Sequence, residues 1–160
     1  MRQVYFSFHY DDIWRVNQIR NSGLLFGDKS VGFSDRSLWE ESKAKNPAAL
    51  RRLIQEGLTG TSMTDVLIGA NTASRRWVTY EIEQSLERGN ALIDVHIHKL
   101  RDRNGKVARK GRLPQLLRRH GTSIYTWTNA REFGAWVESA WRLRNEEPGF
   151  FNKLSKFLGG

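Results

Sequence analysis

Apolar positions along the chain switch repeatedly between a two-residue period and a three-to-four-residue one, and each switch marks an element. Val4-Tyr5-Phe6-Ser7-Phe8 is rich in aromatic and β-branched residues and predicts a first strand. Asp11 or Asp12 is placed to cap a helix carrying Ile13, Val16 and Ile19, with Gly23 as its stop. A loop containing Gly27, Asp28 and Gly32 follows, and Val31-Gly32-Phe33 predicts a short second strand ending at Ser34-Asp35. Asn46-Pro47 pairs a capping residue with proline at the first helical position. Leu50, Leu53, Ile54 and Leu58 keep helical spacing behind it, with Gly57 and Gly60 as the close.

The stretch from Thr64 to Gly89 organises the rest. Val66-Leu67-Ile68, bounded by Gly69, predicts a buried strand. Asn71, Thr72 or Ser74 could cap the helix that follows, and Gly89 is a plausible stop. In that helix Val78, Ile82, Ser85 and Leu86 form one face, and Trp77, Glu81 and Arg88 lie near one another on an adjacent one. Ala91 to His98 alternates, with Ile93, Val95 and Ile97 on one side and Asp94, His96 and His98 on the other. A basic loop runs from Arg101 to Arg112, and Pro114 opens a short helical piece. Ser123 to Trp127 predicts a fifth strand. Thr128 or Asn129 then caps a last helix with Phe133, Trp136, Val137, Ala140 and Trp141 on one face. The tail from Pro148 to Gly160 carries Phe150, Phe151, Leu154, Phe157 and Leu158 at amphipathic spacing. The expected organisation is one domain over 1–145 and an amphipathic tail over 146–160.

Strands alternating with helices predict an α/β fold: a five-stranded parallel sheet with helices on both faces, in flavodoxin-like order. Ligands in such folds sit at the C-terminal ends of the strands. His9 and Tyr10 after the first strand, Asp35 after the second and Asn71 after the third are expected there.

The chain has 160 residues, a formal net charge of +9 and no cysteine. One domain of ordinary size fits that length. The missing cysteine excludes disulfides, thiolate–zinc sites and a cysteine nucleophile. No apolar run is long enough to span a bilayer, and Met1-Arg2-Gln3 leads straight into a strand rather than a signal-peptide core. A soluble, cytoplasmic protein is expected, with no membrane partner. The positive balance suits a polyanion or a phosphate-bearing small molecule. The basic loop lacks interleaved aromatics, which argues against DNA.

Glu81 is the chief candidate for chemistry. A mid-helix glutamate is ordinarily solvated surface, and the functional reading needs it turned into the crevice, partly shielded by Trp77. There it could grip ribose hydroxyls and stabilise positive charge on a sugar carbon. Glycosidases generally need a second carboxyl group to protonate the leaving group. A nicotinamide ribosyl bond does not, because the pyridinium is already cationic and departs neutral. Trp77 is ordinarily core, and its alternative role is a ligand platform. Arg75 and Arg76 stand near a helix start, where cations are slightly unfavourable, so a role holding a pyrophosphate is open to them. His9 and Tyr10 continue an aromatic strand, with packing as their default and ligand contact as the alternative. His96 and His98 could make two metal contacts but lack an obvious third ligand, so no metal is expected. Gly57, Gly60 and Thr61 resemble a fragment of a phosphate loop, but no lysine follows and a strand comes next.

VYFSFHYDD, FSDRSLWEES and TSMTDVLIGANTASRRWVTYEIEQSLERGN resemble the TIR-like ThsB family of the Thoeris anti-phage system, over Val4 to about Pro114. WVTYEI is also similar to the catalytic helix of TIR domains generally. The resemblance implies a TIR fold and an enzyme that cleaves NAD and cyclises the ADP-ribose into a signal for a separate effector, ThsA. It places the catalytic glutamate at Glu81 and a substrate pocket at Phe6, Ser7, His9, Tyr10, Asp35, Trp39, Asn71, Arg76 and Trp77. NAD is substrate here, so no cofactor is implied, and TIR catalysis generally requires self-association. A non-catalytic protein-interaction module on the same fold is the competing expectation.

Overall fold

The computed structural model describes residues 3–22 and 46–146. Strand β1 (Val4–Phe8) leads through a 3-10 turn (Tyr10–Asp12) into α1 (Ile13–Arg20). Helix α2 (Pro47–Leu58) precedes β2 (Met63–Ile68), and a 3-10 turn (Thr72–Ser74) leads into α3 (Arg76–Arg88). Then come β3 (Ala91–His96), α4 (Gln115–His120), β4 (Ser123–Thr126) and α5 (Ala130–Asn145).

The four described strands form one parallel sheet in the order β1-β2-β3-β4. That is a doubly wound α/β architecture of TIR or flavodoxin-like type. The expected sheet had five strands; the one assigned to Val31-Gly32-Phe33 lies outside the described residues, as does the tail after 146.

Alternation along the strands sorts the core into two layers. Val4, Phe6, Met63, Leu67, Ile93 and Val95 face Val16 and Ile19 of α1 and Phe133 and Val137 of α5. On the other face Tyr5 meets Leu50, Ile54 and Leu58 of α2, while Val66 and Ile68 meet Val78 and Ile82 of α3 and Leu117 of α4. Helices therefore cover both faces, as the alternating pattern predicts.

Several boundaries follow the expected chemistry. Asn46 Oδ1 accepts from the Ala49 amide at 3.2 Å, with Pro47 opening α2. Asn129 Oδ1 accepts from the Glu132 amide at 2.9 Å, and Gly89 ends α3 at φ 77°. Others differ. Helix α3 starts at Arg76, and its N-cap residue Arg75 makes no side-chain cap bond; Asn71, Thr72 and Ser74 form a turn instead, whose Thr72 hydroxyl accepts from the Gly69 amide at 2.8 Å. Gly57 lies inside α2, which closes at Leu58. Asp12 stands at the N-cap position of α1 but makes no side-chain cap bond; its carboxylate is engaged by Arg15.

Candidate active site

Helix α3 crosses the sheet with Val78, Glu81, Ile82 and Ser85 buried beneath it. These are positions i, i+3, i+4 and i+7, a single stripe. Glu81 thus belongs to the sheet-facing stripe itself rather than to a face beside it, and it is only 4 % exposed. Ser85 fixes the stripe locally: its hydroxyl donates to the Glu81 carbonyl and accepts from the Thr64 hydroxyl, each at 2.7 Å.

The Glu81 carboxyl looks onto β1. Burial pushes it from the ordinary carboxylate range to about 8; the nearby Tyr5 and Ser7 hydroxyls and the charge on Arg75 pull it partly back. Tyr5 and Ser7 are two apart and so share this face of β1. Burial, and then the Glu81 carboxyl, raise the Tyr5 phenol well above its usual value.

Trp77 lies on the flank of α3 that meets α2. It is half-buried against the Tyr5, Leu50, Ile54 and Leu58 cluster and sits edge-on to Tyr80, with ring centroids 5.7 Å apart. The exposed Arg76 lays its guanidinium over the Trp77 ring, 5.4 Å from the centroid. Gln55 of α2 joins α2 to α3 through Tyr80, Gln84 and Arg88.

Other expected site residues fall elsewhere. Phe6 points to the opposite face of the sheet, packed on Phe133 with ring centroids 6.2 Å apart and with the Arg20 guanidinium 5.7 Å above it. The fold does not bring Phe6 to Glu81, because a one-residue step along a strand reverses direction. His9 follows β1 and caps the next turn, its Nδ1 accepting from the Asp11 amide at 3.0 Å. Tyr10 is half-buried in that turn. Asn71 is exposed at the end of β2, where Oδ1 accepts from Arg109 at 2.9 Å. Asp35 and Trp39 lie outside the described residues. Ser7, Trp77 and Glu81 are therefore gathered on one face, with His9, Tyr10 and Asn71 along the C-terminal edge of the same sheet. Tyr5 is the partner that sequence reasoning missed; once Ser7 is set facing Glu81, the strand period puts Tyr5 there too.

The edge is roofed by the segment after β3. Arg15, buried on α1, bonds Asp12 Oδ1 at 2.9 Å, the Leu100 carbonyl at 2.8 Å and the Lys106 carbonyl at 3.0 Å. A Cβ at Gly69 would stand 2.0 Å from Asp12 Oδ2, and one at Gly111 would stand 1.9 Å from the Gly69 carbonyl oxygen. The segment thus lies backbone to backbone on the end of β2. His96 and His98, edge-on at 5.8 Å, sit beneath it. Both have lowered pKa values, through burial first and then nearby lysines, and are neutral imidazoles at neutral pH. Among the described residues no group of three or more His, Asp or Glu is arranged to hold a metal ion.

A doubly wound parallel domain that buries a carboxyl group against its first strand, on the helix that follows the next described strand, has the build of a TIR-like protein. The family described as "Thoeris protein ThsB, TIR-like domain" matches residues 5–102, and the chain belongs to it. It is also 46 % identical over 116 residues to a protein of Bacillus cereus (strain MSX-D12) named "Putative cyclic ADP-D-ribose synthase ThsB1". That alignment covers 71 % of this chain and 60 % of the relative, so the chain spans about three fifths of the relative's length.

Proposed function

We propose that this chain is a TIR-type NAD-consuming enzyme of bacterial anti-phage defence. In this reading it cleaves the nicotinamide ribosyl bond and closes the ADP-ribose into a cyclic isomer that signals to a ThsA-like effector. The observation that carries the proposal is the buried Glu81 carboxyl, held on the same sheet face as Tyr5, Ser7 and Trp77. The name of the Bacillus cereus relative points to the same chemistry.

Nicotinamide in NAD is a pyridinium. When the ribosyl C–N bond breaks, its electron pair leaves with the ring, and nicotinamide departs neutral without a general acid. Positive charge then builds on the ribose carbon. A carboxylate beside it stabilises that charge, and the dry surroundings strengthen the attraction. In the free protein burial favours the protonated acid; the incoming cationic ring favours the anion, so substrate and catalyst match in charge as they meet. A nucleophile within ADP-ribose closes the ring; water in its place gives the open product. In this reading Arg75, Arg76 and Asn71 hold the diphosphate, and Trp77 flanks the ring. Asp35, Trp39, His9 and Tyr10 belong to the same proposed pocket, and self-association completes it.

The test is nicotinamide release from NAD by the purified protein at high concentration, against Glu81→Gln. The substitution is expected to lower turnover by roughly two to three orders of magnitude, the loss typical of one charge-stabilising group. Equal product from both proteins would remove Glu81 from the mechanism. No product from either, with phage material added, would leave a docking module.

A further inference from the structure

Nearly all of the chain's excess charge lies in one stretch. Between Lys99 and Arg119 there are nine lysines and arginines and a single acid, Asp102, a net +8 against +9 for the whole chain. Most of this stretch falls beyond residue 102, where the family match ends. Nothing in NAD cleavage at Glu81 uses it.

Part of that charge surrounds a depression. A cleft of about 550 Å³ lies between the turn after β2 and α4. Ala73 and Leu113 provide apolar surface, and Gln115, Arg112, Arg118 and Arg119 supply the polar groups. Among the described residues none of the three guanidinium groups has an acidic partner. Isolated surface arginines usually spread apart in water to lower their mutual repulsion; here three share one concave site. Helix α4 is fixed in place by Leu117, which packs into the core against Val78 and Ile82 of α3. The cleft is also separate from the Glu81 face, because α3 meets α2 on one flank and α4 on the other.

We propose that this cleft is a second anion site, taking the phosphate groups of a nucleotide-class ligand. Guanidinium forks match phosphate oxygens in pairs, and several converging on one small volume suit a compact diphosphate. The volume lies within the range of small-molecule sites. No aromatic side chain lines it, so recognition falls on the phosphates and not on stacking of successive bases, which tells against an extended single strand.

Calorimetric titration of the full chain with inorganic pyrophosphate, and separately with ADP, tests this. Three proteins are compared: the unaltered chain, the double variant Arg118→Ala with Arg119→Ala, and a crevice variant, Arg75→Ala with Arg76→Ala. Arg118 and Arg119 are exposed, and equal melting temperatures establish that their double variant folds. Pyrophosphate is expected to bind the unaltered chain and the crevice variant alike, and the Arg118/Arg119 variant weaker by roughly tenfold or more, the worth of one or two charge-assisted hydrogen bonds. The proposal is overturned by no pyrophosphate binding at millimolar concentration, or by an Arg118/Arg119 variant that binds as well as the unaltered chain. Weakening by Arg75→Ala with Arg76→Ala would instead assign the anion to the NAD crevice. Salt-dependent binding of a single-stranded oligonucleotide that pyrophosphate does not displace would also overturn it, in favour of a nucleic-acid surface. The readout is binding, so it stands or falls independently of nicotinamide release.

Discussion

Glu81 and Tyr5 form the pair on which the proposed chemistry turns. The Tyr5 hydroxyl favours the carboxylate form, and burial opposes it with the larger effect. If the anion is the working state, nicotinamide release should rise with pH as Glu81 ionises, with a free-enzyme midpoint near the value of about 8 that burial imposes. Tyr5→Phe keeps the ring packed among Leu50, Ile54 and Leu58 and removes only the donor. Without it the carboxyl becomes harder to ionise, so the rising limb of kcat/KM should move up by roughly one pH unit or less, the worth of one hydrogen bond. A purely structural role for Tyr5 would change the melting temperature and leave that midpoint where it was. Glu81 was legible as a candidate from its place after the central strand. Its burial was not, because a carboxylate reads as surface at any helical position, and only the stripe shared with Val78, Ile82 and Ser85 reveals the direction.

At the scale of elements, the strands and the helices with side-chain caps were the most readable. Asn46-Pro47, Asn129 and Gly89 mark helix ends through local hydrogen bonds or backbone freedom, and the structure uses all three as expected. The start of α3 was misplaced because three capping residues compete there, and the Thr72 hydroxyl is taken up by the Gly69 amide. The segment after β3 was expected to be a solvated basic loop, yet part of it is pinned by Arg15 from 85 and 91 residues away. No local pattern could report that, since a buried arginine and an exposed one look alike in sequence. Arg15→Leu should leave Asp12 buried beside an empty place and free two carbonyls together. Loss of one partner from a buried pair costs about 3–5 kcal/mol, so chemical denaturation should show a fall of that order. A change under about 1 kcal/mol would mean that the pair is solvated, as surface pairs are.

Over the described residues four carboxyl groups, the Arg15-bound Asp12 among them, are held above their ordinary values, each mainly by burial. Glu81 lies at about 8 and Asp94 at about 7, while Asp65 is raised well above its usual range, with neither oxygen hydrogen-bonded among the described residues. Raised acids hold their protons more tightly in the folded chain than in the unfolded one. Between the unfolded values, near 4 to 4.5, and the folded ones the native state carries the extra protons, so stability falls as pH rises. The melting temperature should therefore decline from about pH 5 to pH 8, and Glu81→Gln should flatten the part contributed by that residue. A profile that climbs over this interval, or one unaltered by the substitution, would contradict the burial of these groups. The same global view separates two regions, an acid-bearing interior and a basic exterior stretch, that composition reports only as their sum.

The crossing of Gly111 over Gly69 carries a final implication. Two main chains meet there with no room for even a methyl group. Gly69 leads directly to Asn71, which grips Arg109 just before the crossing returns at Gly111. A substitution at Gly111 would press on the main chain at Gly69 and Ala70, next to Asn71, and one at Gly69 would press on the buried Asp12 carboxylate that Arg15 holds. Drift in amino-acid identity can therefore run freely along the outer rim of this roof, while its keystone stays closed to every residue larger than hydrogen.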